Sequence, residues 1–184
     1  MDKFETGLGT ILKHAWMHVE AVQTTDLPLL INFCADVLQN ALDHPNFVQE
    51  RIDAKTFSKK QEVLVMHYIR GLMRQTEEIG EDRIVPLLKE RKMVTLMLSF
   101  LNSWSESMND EHLIASVEAV SLIIETEDFQ TFKDDYINEE DRQVLIDMGE
   151  EDHFLEEITE DDDVRRNSRP LLDLIRESRR RSKV

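Results

Sequence analysis

Two histidines four residues apart, His14 and His18, share one face of a helix. That spacing lets two imidazoles hold one zinc ion. A zinc site needs a third ligand and usually a fourth. The glutamate that follows the first histidine in H-E-x-x-H is missing, because Ala15 stands there, and Glu20 lies off that face. His44, His67, His112 and His153 occur singly. Neither a metal nor any other cofactor is expected.

Phosphate and acyl chemistry find no better footing. Gly7-Leu8-Gly9 has no strand before it, so it does not make a phosphate-cradling turn. No nucleophile elbow of the form G-x-S-x-G occurs. Cys34, the single cysteine, lies in an apolar stretch without a histidine near it in sequence, so it reads as a small buried hydrophobe. The pairs Glu77-Glu78 and Asp134-Asp135 could serve as acid and base, yet in so acidic a chain they are surface residues by default. Asp161-Asp162-Asp163 lacks the alternating ligands and glycine of an EF-hand loop. An enzyme is not expected, nor is a small-molecule substrate. Met66, Met73, Met93, Met97 and Met108 could line an adaptable groove, but at helical spacing among leucines and isoleucines they read as core, as do Trp16 and Trp104.

The stronger signals sit near the end. Arg165-Arg166-Asn167-Ser168-Arg169-Pro170 places basic residues at −3 and −2 from a serine, which suits a basophilic kinase. With Pro170 at +2 the segment also resembles the phosphopeptide motif read by 14-3-3 proteins. The plainer reading is that Asn167 or Ser168 caps the last helix, with Pro170 in its first turn. Ser182-Lys183-Val184 resembles a PDZ ligand, which adds a strand to a domain edge. Ser168 is thus a candidate phosphorylation site. Arg165, Arg166, Arg169, Arg179, Arg180, Arg181 and Val184 form a candidate partner-binding tail.

Charge is distributed unevenly. The 184 residues carry a net charge of −16. Residues 127–163 hold 17 acids and 2 bases, whereas residues 164–184 hold 8 bases and 2 acids. The preceding body makes no basic stripe, so the folded part is not expected to bind nucleic acid. No apolar run is long enough to span a bilayer. The first residues lack the basic and apolar regions of a signal peptide, and one cysteine permits no internal disulfide. A cytoplasmic or nuclear protein is expected.

The elements that carry these residues are helical throughout. Apolar residues recur every three or four positions. Residues 4–22 put Leu8, Ile11, Leu12, Ala15, Trp16, Val19 and Val22 on one face. Residues 27–43 carry Leu29, Leu30, Phe33, Cys34, Val37, Leu38 and Ala41, apolar on most sides, which predicts a buried helix ended by His44-Pro45. A short helix is expected over 46–52. Ser58 and Gln61 look like a capping box opening a long helix over 59–78, with Gly80 as its stop. Further helices are expected over 81–92, 93–104 and 111–126, the last capped by Asp110. Short helices follow around Phe129, Phe132, Tyr136 and Ile137, around Val144 to Met148, and around Phe154 to Ile158. Asp161-Asp162-Asp163 reads as a solvated break before a final helix over 170–181.

The stretch Arg83-Ile-Val-Pro-Leu-Leu-Lys-Glu-Arg-Lys-Met-Val-Thr-Leu-Met-Leu-Ser-Phe-Leu101 resembles the proline-punctuated helix pair of armadillo and HEAT repeats. In those families helix pairs or triplets recur about every forty residues and stack into a superhelix. Here the long helices begin 32 and then 52 residues apart. The resemblance covers about residues 27–150 and implies a protein-binding scaffold. The expected fold is all-α, an armadillo/HEAT-like right-handed stack, with a compact multi-helix bundle as the alternative. Residues 1–160 are expected to form one domain and 161–184 a basic helix or tail. The expected role is a non-enzymatic adaptor for another protein. The alternative is a structural subunit completing a larger assembly.

Overall fold

The computed structural model of the chain describes residues 27–53, 61–150 and 152–182. The helix expected over 4–22, with His14, Trp16 and His18, lies outside these residues, as do Ser58, Lys183 and Val184. Among the described residues every regular element is a helix.

Helix α1, Leu27–Asp43, buries Ile31, Cys34, Ala35 and Leu38 on one face. Leu29, expected within the apolar surround, points away from that face and is 71% exposed. His44 breaks the helix, and α2, Pro45–Asp53, starts on the proline, where the missing N–H costs nothing. The long helix expected over 59–78 is two helices, α3 (Gln61–Arg74) and α4 (Thr76–Ile79). The Thr76 hydroxyl donates to the Met73 carbonyl, a local bond that competes with the continuing ladder. Gly80, at φ 101°, then ends α4 in a conformation that a side chain resists; a Cβ there would lie 2.7 Å from Asp82 Oδ1.

Helix α5 spans Glu81–Glu90 and α6 spans Met93–Trp104. Lys92, in the left-handed region at φ 50°, turns the chain between them. Helix α7, Asp110–Ile124, is capped by Asn109 rather than Asp110: its side chain accepts from the His112 amide at 3.0 Å. Three short helices follow, α8 (Glu127–Thr131), α9 (Lys133–Tyr136) and α10 (Glu139–Met148). A capping box of Asn138 and Asp141 opens α10. The buried Asp141 carboxylate also accepts from the Thr95 hydroxyl at 2.9 Å, which ties α10 to α6.

The C-terminal expectation needs the largest revision. Helix α11 spans Asp152–Glu160, and α12 runs from Asp162 to Arg181, starting eight residues earlier than expected. Asp161 is its N-cap, accepting from the amides of Asp163 and Val164. Asp162 and Asp163 fill its first turn, where carboxylates complement the helix dipole. The acidic triplet is therefore an exposed break at Asp161 that also starts the next helix. Asn167 and Ser168 lie inside the helix and cap nothing, and Pro170 is interior.

The packing makes two rows. Helix α1 lies against α6, and α6 against α10; helix α3 lies against α7, and α7 against α12. Across the rows, α1 meets α3, α6 meets α7, and α10 meets α12. Helices of the second row begin 49 and 52 residues apart. The middle helix α7 is enclosed on nearly every side, with Ala115, Val117, Ala119, Val120 and Ile123 wholly buried. Two alanines there let its neighbours approach closely. Leu171, Leu172, Leu174 and Ile175 of α12 are buried in this common core. Residue 161 is the cap of this basic C-terminal helix, whose apolar face joins the core.

Candidate functional site

Two acid-bearing helix starts face each other across a groove. Glu81 and Asp82 occupy the first turn of α5; Glu127 and Asp128 occupy the first turn of α8. Carboxylates suit both positions because unpaired amides make a helix start locally positive. Thr126 fixes the second start: its hydroxyl oxygen accepts from the Phe129 amide at 3.3 Å and donates to the Ile123 carbonyl at 2.7 Å. The open space between is about 750 Å³. Val85, Pro86, Thr131 and Phe132 complete the lining, and no lysine or arginine is among the lining residues.

Phe132 is placed by a break in the helix. Its backbone, at φ −120° and ψ 40°, separates α8 from α9. Phe129 consequently turns fully inward, while Phe132 is 51% exposed. The Phe129 and Tyr136 rings pack against each other, their centroids 5.1 Å apart.

Lys89 lies beside two lining residues, Asp128 and Phe132. Its Nζ lies 3.2 Å from Asp135 and 3.4 Å from Asp128. The same ammonium sits 4.9 Å from the Phe132 ring centroid and 5.0 Å from that of Tyr136. Tyr136 donates its hydroxyl to Asp128 Oδ2 at 2.6 Å. That hydrogen bond, with Lys89 adding to it against desolvation, holds the Asp128 carboxyl below its usual range. Desolvation works against the Lys89 charge, but the bonds to Asp135 and Asp128 outweigh it and raise its pKa. Burial, then the bond to Asp128, pushes the Tyr136 phenol up. The arrangement can hold a cation against an aromatic face, and Lys89 already does so.

A second polar cluster lies between α3 and α7. Arg70 and Arg74 both pair with the buried Glu118, Arg70 at 3.7 Å. His67 Nε2 lies 2.8 Å from His112 Nδ1. Burial first, then the charges of Arg70 and His112, lowers the His67 pKa to about 4. These groups satisfy one another across the helix interface, so the cluster reads as a packed seam.

The residues singled out from sequence fall elsewhere. Ser168 is buried, 2% exposed, on the inward face of α12. In this packing it is not presented to a kinase or to a 14-3-3 groove. Arg165, Arg166 and Arg169 are exposed and pair along their own helix with Asp162, Asp163 and Asp173. Arg179 donates to the Gly149 carbonyl at 2.9 Å, Arg181 pairs with Glu177, and Arg180 is exposed. Arg165, Arg166, Arg169 and Arg181 thus each pair with an acid of their own helix. Val184 is outside the described residues. Cys34 is wholly buried, and desolvation pushes its thiol pKa up, which removes the thiolate. Met66, Met73, Met93, Met97, Met108 and Trp104 are all in the core. Among the described residues no group of three histidine, cysteine or acidic side chains is placed to hold a metal ion, and no helix is long and apolar enough to cross a membrane.

The groove itself was not singled out from sequence. Phe129, Phe132 and Tyr136 sit at helical spacing and read as one face. Only the break at Phe132 separates the two inward rings from the outward one. Comparison of the chain with models of known families, with curated proteins and with solved structures found no match.

Proposed function

We propose that the chain is a non-enzymatic interaction module of armadillo/HEAT type that binds a partner protein through its helical surface. The observation that carries this reading is the serial order of packing. Helices 61–74, 110–124 and 162–181 pack as successive neighbours in one row, and 27–43, 93–104 and 139–148 do so in the other. A stack of that kind adds surface with each repeat. The irregular spacing of 32 and 52 residues arises because helices from different rows were compared. Within the second row, the recurrence near fifty residues supports a repeat. The all-α fold and the acidic groove fit an adaptor.

Affinity capture of the tagged full chain from its own cells, after mild cross-linking, tests the reading. One protein partner in near-stoichiometric amount is expected, cross-linked to exposed helix residues. A chain that emerges alone under those conditions would count against it.

A structural-subunit reading draws on Leu29 and Phe47, which are 71% and 61% exposed on α1 and α2. Under that reading the purified chain should aggregate unless its neighbour is present, whereas a module should remain monomeric.

A further inference from the structure

We propose that the groove between α5 and α8 receives an arginine-bearing segment of a partner protein, with the guanidinium stacked on Phe132 and paired to the carboxylates of the rim. The proposal rests on the interaction-module reading and names the chemistry of the partner.

Charge complementarity selects the occupant. Glu81, Asp82, Glu127 and Asp128 line the groove, and no cationic side chain stands among its lining residues. Asp128 is already engaged by Lys89 and Tyr136, which leaves the other three exposed carboxylates as the acceptors on offer. A phosphate-bearing partner, nucleic acid or anionic membrane, would meet repulsion here.

The aromatic ring narrows the choice further. Half of Phe132 is open to solvent, at the place where the chain could have continued a helix and buried it. Lys89 shows that a cation is accommodated against this ring, at 4.9 Å from its centroid. The remaining ring surface faces the acidic groove. A planar, weakly hydrated guanidinium can stack there and still reach two carboxylates, which a compact, strongly hydrated ammonium does less well. Val85 and Pro86 supply apolar contact for the methylene stem or a flanking aliphatic residue. A bare divalent ion would gain nothing from the apolar floor.

Fluorescence anisotropy with the full chain provides the test. The probes are three labelled eight-residue peptides of the same leucine-containing sequence, bearing two arginines, two lysines or two citrullines. The arginine peptide should bind most tightly, and the neutral citrulline peptide about tenfold or more weakly. Glu81→Lys with Glu127→Lys should weaken arginine-peptide binding by about tenfold or more. The distant reversal Glu106→Lys with Glu150→Lys, also at exposed positions, should weaken it by less than about threefold. Phe132→Ala should cost the arginine peptide about three- to tenfold and the lysine peptide less. All four positions altered in the charge variants are exposed, and unchanged circular-dichroism melting would confirm folded protein.

Equal losses in the groove and distant variants would overturn the proposal, since general acidity would then suffice. Indifference to Phe132→Ala would overturn the stacking, as would equal binding of the lysine peptide. Binding of calcium in place of peptide would assign the carboxylates to an ion. If the partner captured from cells is held equally by wild type and by Glu81→Lys/Glu127→Lys, the groove fails while the module reading stands. If wild type captures no partner, that reading fails instead.

Discussion

His67 and His112 meet across two neighbouring helices of one row, with Nε2 of the first 2.8 Å from Nδ1 of the second and the ring planes at 88°. One imidazole must donate and the other accept, and burial beside the Arg70 charge favours His67 as the neutral partner. Arg70 lies 3.5 Å from the other nitrogen of His67, and its charge further disfavours protonation. Glu111 works weakly the other way.

This geometry makes stability depend on pH with a definite sign. The folded pKa of His67, about 4, lies below its ordinary value of 6.5. Its contribution is therefore fully present above pH 6.5 and is lost as pH falls towards 4, because the unfolded chain takes up the proton first. Urea unfolding at pH 7 and pH 4.5 should show a loss on the order of 1–3 kcal/mol from this residue. Carboxylates titrate in the same window, so the His67→Gln variant supplies the comparison. Its curve should fall less steeply with acid than that of the wild type, and parallel curves would disprove the assignment.

Core and surface aliphatic residues should behave differently although the sequence treats them alike. Leu38, Ile69 and Val120 are wholly buried, one in each of α1, α3 and α7. Changing each to alanine should cost on the order of 1–5 kcal/mol in denaturant unfolding, through lost burial and the cavity left behind. Leu29→Ala, at a site 71% exposed, should stay within about 0.5 kcal/mol. A comparable loss at Leu29 would mean that this face is covered in solution.

The last helix should hold its place by apolar burial. Leu171, Leu172, Leu174 and Ile175 are buried, whereas the ion pairs at its start are exposed and individually weak. Hydrogen exchange over residues 165–182 should change little between low and high salt. A strong loss of protection at high salt would favour docking by charge. Ser168→Glu should destabilise the whole protein, on the order of 3 kcal/mol, because a charge would be forced into a buried site. A Ser168→Glu protein as stable as wild type would favour Ser168 as an accessible phosphorylation site.

The helices were legible wherever one strong period ran without local competition. Residues 27–43 and 93–104 were read with the bounds the structure shows. Boundaries failed where short polar side chains decide the matter. Thr76 interrupts a helix that its neighbours favour, and Asp161 starts one where three acids look like a solvated run. Row membership was hidden for a different reason. It depends on which helices are neighbours in space, and periodicity reports only which face of each is buried. The groove was hidden for the same reason: Lys89 and Phe132 are 43 positions apart, and no local pattern joins them.

A footprint on the intact chain tests binding through the helical surface most directly. Hydrogen exchange should be measured with and without the partner captured from cells. Protection confined to exposed helix positions, including α5 and α8, with the amides of α7 unchanged, is the expected result. No change anywhere would contradict the interaction module, and a rise in protection throughout the core would show instead that the partner completes the fold.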